Sequence, residues 1–218
     1  MPAKDETDNT LQLDASSTPG NIGTRVREDT LDDFSAAWCQ DLLNDPIYVA
    51  IEIATRRLGG PQGASWGSLM AKTLNTDNTI RAMRLLYRPP PAQQSQIAQG
   101  TVGKGDEQAG GEVLALMSLG DELCSHTNVL HGGINTTIVD EIGGELAGRT
   151  VKDHLMAVNF NVNLRKSVKT PGIIIVRAWM ERPPEGRKVW VKCRIEQDGQ
   201  TCIESENLYV KIAPRGKL

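Results

Sequence analysis

The sequence predicts an α+β fold in which an antiparallel β-sheet wraps around one long central helix, with a helical extension before it. A strand pattern at residues 113–119 is followed by a helix pattern at 131–148 and then by four more strand patterns. Short turns join those four strands, and short turns favour antiparallel neighbours. A helix with so long an apolar stripe needs a sheet to cover it.

The chain of 218 residues divides into three predicted parts. Residues 1–28 are polar and contain no aromatic residue, so we predict a disordered tail. Residues 29–100 are predicted to form the helical N-terminal extension, which Pro46 interrupts and a Gln- and Gly-rich connector ends. Residues 101–218 are denser in apolar positions and are predicted to form the main domain.

The central helix is predicted from an apolar residue at every fourth position. These residues are Ile134, Ile138, Ile142 and Leu146. Gly143 and Gly144 lie inside the same helix and each costs about 1 kcal/mol relative to alanine. Such glycines are tolerated where another element packs closely against the helix.

The four later strands follow from strict alternation and from turn residues. Val158 to Leu164 alternates apolar residues with asparagine, which predicts one buried and one polar face. Pro171-Gly172 and Pro183-Pro184 start the next two strands, at about 173–180 and 189–195. Asp198-Gly199 predicts a tight hairpin into a last strand near 201–212.

Composition excludes several classes of function. The 24 Lys and Arg residues against 27 Asp and Glu give a net charge of −3, which argues against nucleic-acid binding. The chain has no apolar run of bilayer-spanning length and no secretory signal, so we expect no membrane partner and a cytoplasmic location. Its four cysteines form no CxxC pair, so neither a zinc site nor another metal site is expected.

The chemically informative residues lie at the start of the predicted helix. Gly132 and Gly133 leave backbone N–H groups unobstructed at the positive end of the helix dipole, where an oxyanion is stabilised. Asp140 follows eight residues after Gly132, about 12 Å further along the axis. If both groups serve one site, the carboxylate has to come from a second copy of the helix. The geometry therefore predicts a homodimer with two interface sites, and a tetramer is its extension.

His131-Gly132-Gly133 followed by Asp140, within this strand order, resembles the hotdog-fold thioesterase superfamily, and most of all the phenylacetate-pathway type of acyl-CoA thioesterase. The resemblance extends from about residue 30 to the end of the chain and includes segments similar to fungal members, which implies a hydrolase of fungal secondary metabolism. Those segments are Trp38-Cys39, Asp45-Pro46-Ile47-Tyr48, Thr73-Leu74-Asn75-Thr76, Leu86-Tyr87-Arg88-Pro89, Asn161-Val162-Asn163-Leu164-Arg165 and Gly186-Arg187-Lys188-Val189-Trp190-Val191.

The resemblance implies a catalytic role for four residues. Gly132 would donate its N–H to the thioester carbonyl, and Asp140 of the partner subunit would act as general base or as nucleophile. His131 would begin the helix and orient the loop, and Thr137 would steady the attacking water. The expected reaction is hydrolysis of an acyl thioester to a free acid and a thiol.

The resemblance also implies residues that bind the substrate, an acyl group carried on coenzyme A or on an acyl carrier protein. Gly133, Asn135 and Thr136 would line the acyl site, and Arg165 and Lys166 would bind the phosphates of coenzyme A. No cofactor is expected beyond coenzyme A as part of the substrate. Asn135 and Thr136 replace small apolar residues of the family.

Further departures lie in the loop before the helix. Asn128 stands where the family often has glycine, and asparagine also tolerates a left-handed backbone, while Ser125 replaces an asparagine. Together with Asn135 and Thr136, the departures leave two other functions open. One is a non-hydrolytic enzyme, such as a dehydratase, decarboxylase or cyclase acting on a polyketide-like intermediate; the other is a non-catalytic acyl-binding module.

Structural alternatives stand beside the catalytic ones. His131 could act only as a helix cap, Asp140 could pair with Arg149 or Lys152, and Glu141 is a rival carboxylate. Gly63-Ala64-Ser65-Trp66-Gly67 matches a serine-hydrolase nucleophile elbow but follows no buried strand. The terminal Gly216-Lys217-Leu218 is similar to a peroxisomal address, which makes that organelle the alternative location.

Overall fold

The computed structural model describes residues 31–56, 67–90 and 111–212. The predicted disordered tail, the Ser65 motif, most of the connector and the C-terminal tripeptide lie outside the described residues. The described part contains two α-helices, α1 (Ala37–Leu43) and α2 (Gly132–Val151), and nine strands. The strands are β1 (Val49–Ile51), β2 (Ile80–Arg88), β3 (Glu112–Leu119), β4 (Cys124–His126), β5 (Val129–Leu130), β6 (Leu155–Leu164), β7 (Gly172–Trp179), β8 (Lys188–Gln197) and β9 (Gln200–Lys211).

Seven strands form one antiparallel sheet in the order β1-β2-β3-β7-β8-β9-β6, while β4 and β5 form a separate hairpin. Helix α2 contacts β3, β6, β7, β8 and β9, so it lies across one face of the sheet. The predicted antiparallel sheet with a long helix against it is therefore present. None of the described helices is long and apolar enough to cross a membrane.

Strand β3 is buried at all eight of its residues because both faces of the sheet are covered there. Val113 and its alternate neighbours face the core beneath α2, whereas Leu114 and Leu116 belong to a second cluster. That second cluster includes Phe34 and Cys39, both fully buried, from the segment before β1. The N-terminal segment thus braces the face of the sheet opposite α2.

The structure differs from the predicted helical extension over 29–100. Within the described part of that range, only α1 is an α-helix, accompanied by short turns at Asp32–Phe34, Ala54–Arg56 and Leu69–Thr73. Strands β1 and β2 instead lengthen the main sheet, and β2 pairs with β3 along its whole length, from Ile80 to Arg88. The mixed apolar and basic positions of 80–88 form a strand because almost every one of them is covered on one face or the other.

A second difference concerns the order of the later strands. The short link after β6 predicted that β6 and β7 would be neighbours, but β6 pairs with β9 and β7 lies between β3 and β8. Residues 165–171 therefore cross from one part of the sheet to another. The hairpin prediction is confirmed, since Asp198 and Gly199 both adopt positive φ, at 52° and 71°.

Candidate functional site

The start of α2 is fixed by backbone hydrogen bonds on both sides. The Leu130 N–H donates to the Val168 carbonyl and the His131 N–H donates to the Leu123 carbonyl, each at 2.9 Å. Asn128 adopts the left-handed backbone predicted for it, with φ of 57°, in the turn between β4 and β5. The helix begins at Gly132, with His131 as its N-cap.

The His131 ring caps the helix directly. Its Nδ1 accepts a hydrogen bond from the Gly133 N–H at 2.9 Å, so that amide is already occupied. The Gly132 N–H comes first in the helix and has no partner within it, and it makes no hydrogen bond to any residue in the described ranges. Among the described residues, the Gly132 and Ile134 amides of the first turn therefore remain without an acceptor, and that of Gly132 comes first in the helix.

The side chain of Leu164, at the end of β6, lies next to Gly132. Its Cδ1 would be 3.8 Å from a Cβ built on that glycine, which is ordinary van der Waals contact. Leu164 is itself 61% exposed. The end of the edge strand thus lies beside the free amide at the helix start.

Asp140 lies in the middle of α2 and is partly buried. Burial raises the pKa of its carboxyl above the usual range, and the adjacent Tyr209 hydroxyl acts in the opposite direction. A carboxylate with a raised pKa is a better proton acceptor at neutral pH than a solvated one. It remains about 12 Å along the helix from Gly132, so one protomer does not bring the two groups together.

Glu141, the rival carboxylate, points to another part of the molecule. It accepts a hydrogen bond from the Thr55 hydroxyl, in the turn after β1. Burial raises its pKa to about 7, and the neighbouring Asp140 and Glu145 add to the rise. Arg149, proposed as a structural partner of Asp140, forms an ion pair with Glu145 at 2.7 Å.

Polar side chains from β8 and β9 reach the carbonyl oxygens next to Asp140. Asn207 Nδ2 donates to the Val139 carbonyl at 3.1 Å, and Cys193 Sγ lies 3.5 Å from the same oxygen. The Tyr209 hydroxyl donates to the Asp140 carbonyl at 2.9 Å. These contacts attach the turn that carries Asp140 to the sheet.

Of the three predicted polar residues in the second helical turn, the two threonines bind the helix backbone and the asparagine oxygen does not. The Thr136 hydroxyl donates to the Gly132 carbonyl at 3.2 Å and the Thr137 hydroxyl to the Gly133 carbonyl at 3.0 Å. Both hydroxyls are therefore engaged by the helix backbone. Asn135 is 4% exposed, and its Oδ1 has no hydrogen-bond partner among the described residues.

Arg165 and Lys166 follow directly after β6 and lie on the surface. Arg165 binds Glu204 through Nε at 2.6 Å and through its terminal nitrogen at 2.5 Å, with 58% of its side chain exposed. Lys166 Nζ donates to the Gln200 side-chain oxygen at 2.6 Å. A phosphate at this place would compete with Glu204 for Arg165. Within the described ranges, no cluster of three or more His, Cys, Asp or Glu side chains is placed to hold a metal ion.

The sequence pattern alone did not identify Tyr209, Asn207 and Cys193 as neighbours of the candidate site. The available signal was the alternation of β9, which places Ser205, Asn207 and Tyr209 on the same face as the core residue Ile203. Polar residues on a buried face need partners, and here the partners are helix carbonyls. Which helical turn they reach depends on how α2 crosses the sheet, and that is visible only in the structure.

A comparison with proteins of known function finds a sequence similarity to a thioesterase. No family model matches the chain. The bovine (Bos taurus) acyl-coenzyme A thioesterase THEM4 is 27% identical over 88 residues, which is 39% of this chain and 35% of that protein. The chain thus spans about a third of the length of the curated relative that it matches. The predicted resemblance to acyl-CoA thioesterases is confirmed to this extent.

Two solved structures to which part of the chain is similar have the words thioesterase superfamily in their names. Zebrafish thioesterase superfamily member 2 has a TM-score of 0.43 and 15% identity, over 47% of this chain and 75% of the zebrafish chain. A thioesterase superfamily protein from Shewanella loihica PV-4 has a TM-score of 0.42 and 15% identity, over 47% of this chain and 84% of the bacterial chain.

Proposed function

We propose that the protein hydrolyses an acyl thioester, carried on coenzyme A or on an acyl carrier protein, to a free acid and a thiol. The observation that carries this proposal is the free Gly132 N–H at the start of a long helix that also bears a partly buried Asp140. The amide would bind the thioester carbonyl oxygen, which gains negative charge as the tetrahedral intermediate forms. Asp140 would accept the proton of the attacking water, or attack the carbonyl carbon itself.

The site requires two copies of the chain, because a helix does not bring its own carboxylate to its own N-terminus. Strand β6 ends the sheet, and the structure describes no strand on its outer edge. It exposes Met156 by 57%, Val158 by 53% and Leu164 by 61%. A two-fold pairing of two β6 edges would be antiparallel, so the end of β6 in one protomer would lie near the beginning of the partner's strand.

This pairing supports a shared site for a geometric reason. Leu164 lies beside Gly132, so the start of α2 and the end of β6 are next to each other in each protomer. The beginning of the partner's β6 directly follows the end of the partner's α2. The antiparallel arrangement therefore brings the free amide of one protomer toward the partner's α2, which carries Asp140 in its middle. The homodimer is part of the proposal, and the tetramer, the carrier protein and the cytoplasmic location stay predictions.

The roles of the other residues follow from their positions. His131 would hold the loop by its bond to Gly133, without a proton-transfer step. Thr137 would present hydroxyl lone pairs to water, since its proton is donated to the Gly133 carbonyl. Arg165 would exchange Glu204 for a phosphate of coenzyme A, with Lys166 next to it.

A matched pair of variants at Gly132 tests the oxyanion role. Gly132→Pro removes the N–H at the first helical position, where proline is well tolerated, and the extended ψ of 136° at His131 suits a following proline. Gly132→Ala keeps the N–H and meets only Leu164 at 3.8 Å. Thiol release from short, long and aromatic acyl-CoAs should fall by about 10² to 10³ in the proline variant and stay close to wild type in the alanine variant. Equal rates in the two variants would contradict the role.

A second experiment tests Asp140 and the shared site. Asp140→Asn should abolish thiol release, whereas Glu141→Gln should retain it. Each Asp140→Asn or Gly132→Pro homodimer should be inactive, but a mixed dimer has one site with an intact amide and an intact carboxylate. Activity that returns on mixing supports the shared site, and activity that stays absent in a demonstrated mixed dimer refutes it. A product other than acid and thiol, found by mass, would favour non-hydrolytic chemistry.

A further inference from the structure

We propose that Tyr209 is a positioning residue for Asp140. Its hydroxyl, together with the amide of Asn207, binds two consecutive carbonyl oxygens of α2 and fixes the helical turn from which the carboxylate projects. This inference rests on the proposed function, because it assigns Tyr209 a task in the same site. Neither side chain is required to touch the substrate.

The geometry begins with the alternation of β9. Ser205 is 6% exposed, Asn207 is fully buried and Tyr209 is 2% exposed, so three polar residues in succession face the core beneath α2. Asn207 Nδ2 reaches the Val139 carbonyl at 3.1 Å, and Tyr209 Oη reaches the Asp140 carbonyl at 2.9 Å. In a regular helix these two carbonyls already accept the N–H groups four residues later. A carbonyl has two lone pairs, so the side chains occupy the second acceptor position of each.

A glycine makes this close approach possible. A Cβ at residue 143 would lie 2.6 Å from Tyr209 Oη and 3.0 Å from Asn207 Nδ2. Any side chain at this position would push the sheet residues away from the two carbonyls. This close approach explains why residue 143 is a glycine in the middle of a long helix, where glycine costs about 1 kcal/mol of propensity.

The cluster also carries unsatisfied polar atoms. Ser205 Oγ and Asn207 Oδ1 are buried without a hydrogen-bond partner among the described residues. An apolar core at this position would avoid that cost, since an unpaired buried polar group destabilises the fold by about 1–3 kcal/mol. Maximum stability thus does not account for polar residues under this turn. A fixed orientation of the turn that bears Asp140 does account for them.

The same hydroxyl also affects the pKa of the nearby carboxyl group. Burial raises the pKa of Asp140, and the adjacent Tyr209 hydroxyl, whose proton is donated to the Asp140 backbone carbonyl, lowers it. The other ionisable groups whose charge is coupled to Asp140 are Glu141, on the same helix, and Cys193, on β8. Burial also raises the pKa of Tyr209, so its hydroxyl keeps the proton that it donates. Removing that hydroxyl should therefore raise the pKa of Asp140 further.

Tyr209→Phe tests the proposal with little change in shape, because the ring and its edge contact with Phe160 remain. Tyr48→Phe is the matched control, since the Tyr48 hydroxyl interacts with Glu112 and Arg177 and not with α2. Thiol release should show kcat lowered by about tenfold to a hundredfold in Tyr209→Phe, with KM within about twofold of wild type. Tyr48→Phe should retain the wild-type kcat.

A readout independent of turnover completes the test. The carboxyl carbon of Asp140, followed by NMR through a pH titration, should titrate at higher pH in Tyr209→Phe than in wild type or Tyr48→Phe. If wild type releases no thiol from any substrate, the proposed function fails, and the titration alone decides the inference about Tyr209. An unchanged titration refutes it, as does a lower unfolding temperature with unchanged kcat. If Tyr209→Phe does not fold, Asn207→Ala is measured in the same way and has to lower kcat or shift the titration.

Discussion

Replacing Gly143 by alanine adds one carbon atom where side chains of β8 and β9 lie close to α2. The new Cβ would lie 2.6 Å from Tyr209 Oη, 3.0 Å from Asn207 Nδ2 and 3.1 Å from Cys193 Sγ. All three atoms belong to side chains that are almost fully buried, so none of them can swing into solvent. Gly148→Ala is the control on the same helix, because a Cβ there meets no atom within 4 Å.

The expected change in unfolding free energy follows from opposing contributions. Alanine improves helix propensity by about 1 kcal/mol at either position. At residue 143, overpacking costs about 1–3 kcal/mol. Separating Tyr209 and Asn207 from their carbonyls costs about 1 kcal/mol for each hydrogen bond. Gly143→Ala should therefore lower the unfolding free energy by about 2–4 kcal/mol, and Gly148→Ala should raise it by about 1 kcal/mol.

Urea denaturation followed by circular dichroism, at one protein concentration for all variants, measures both changes. Gly143→Ala should also lose thioesterase turnover per folded molecule, because it displaces the Tyr209 hydroxyl from the turn of Asp140. Equal stabilisation by alanine at 143 and at 148 would refute the close contact between the helix and the polar side chains of β8 and β9.

Three other substitutions have expected results. Burial raises the pKa of Glu141 to about 7, so between about pH 4.5 and 7 this carboxyl is ionised in the unfolded chain and protonated in the folded one. Wild type should therefore lose about 3 kcal/mol of stability over that range. Glu141→Gln should remove most of that loss in urea titrations at pH 5 and pH 8, and an unchanged loss would contradict it. Asn135→Leu should raise the unfolding free energy by about 1 kcal/mol by removing an unpaired buried oxygen, whereas a decrease would mean that the oxygen has a partner. Arg165→Ala should change stability by less than about 1 kcal/mol, as expected of an exposed ion pair. If Arg165 binds phosphate, the variant should raise KM for an acyl-CoA but not for the same acyl group on a thiol without phosphates.

The strands of the main domain were predictable because their pattern is local. Alternation in β8 and β9 has a period of two, and the Asp198-Gly199 turn needs two positive φ angles that this dipeptide supplies. Strand β6 was predicted from the same alternation, but a register shift between Ala157 and Asn159 interrupts it, and Val158 and Leu164 of the predicted buried face are 53% and 61% exposed. The spatial order was not predictable from turn lengths. Strand β6 lies at the sheet edge and β7 beside β3, since the link at 165–171 crosses the sheet instead of forming a hairpin.

The N-terminal strands were missed because burial on both faces removes alternation. Strand β2 has buried residues that face α2 and buried residues that face the second cluster, which contains Phe34, so its sequence has no period of two. A strand of this kind resembles a buried helix segment when only apolar positions are considered. The segment forms a strand because it pairs with β3, and this pairing joins residues that are distant in sequence.

At the candidate site, the sequence located the groups with distinctive chemistry but not those that orient them. Gly132 and His131 were recognisable because a glycine pair after a cap is a backbone motif, and the structure adds that the His131 ring occupies the Gly133 amide. That bond occupies the second amide of the helix, so the Gly132 N–H, which comes first, is the decisive test of the oxyanion role. Gly143, which looked like a weakness of the helix, is the position where α2 accepts hydrogen-bonding side chains from the sheet. Two glycine positions of this helix thus contribute to the proposed reaction. Gly132 exposes an amide that would bind the thioester oxygen, and Gly143 lets Tyr209 and Asn207 hold the turn that carries Asp140.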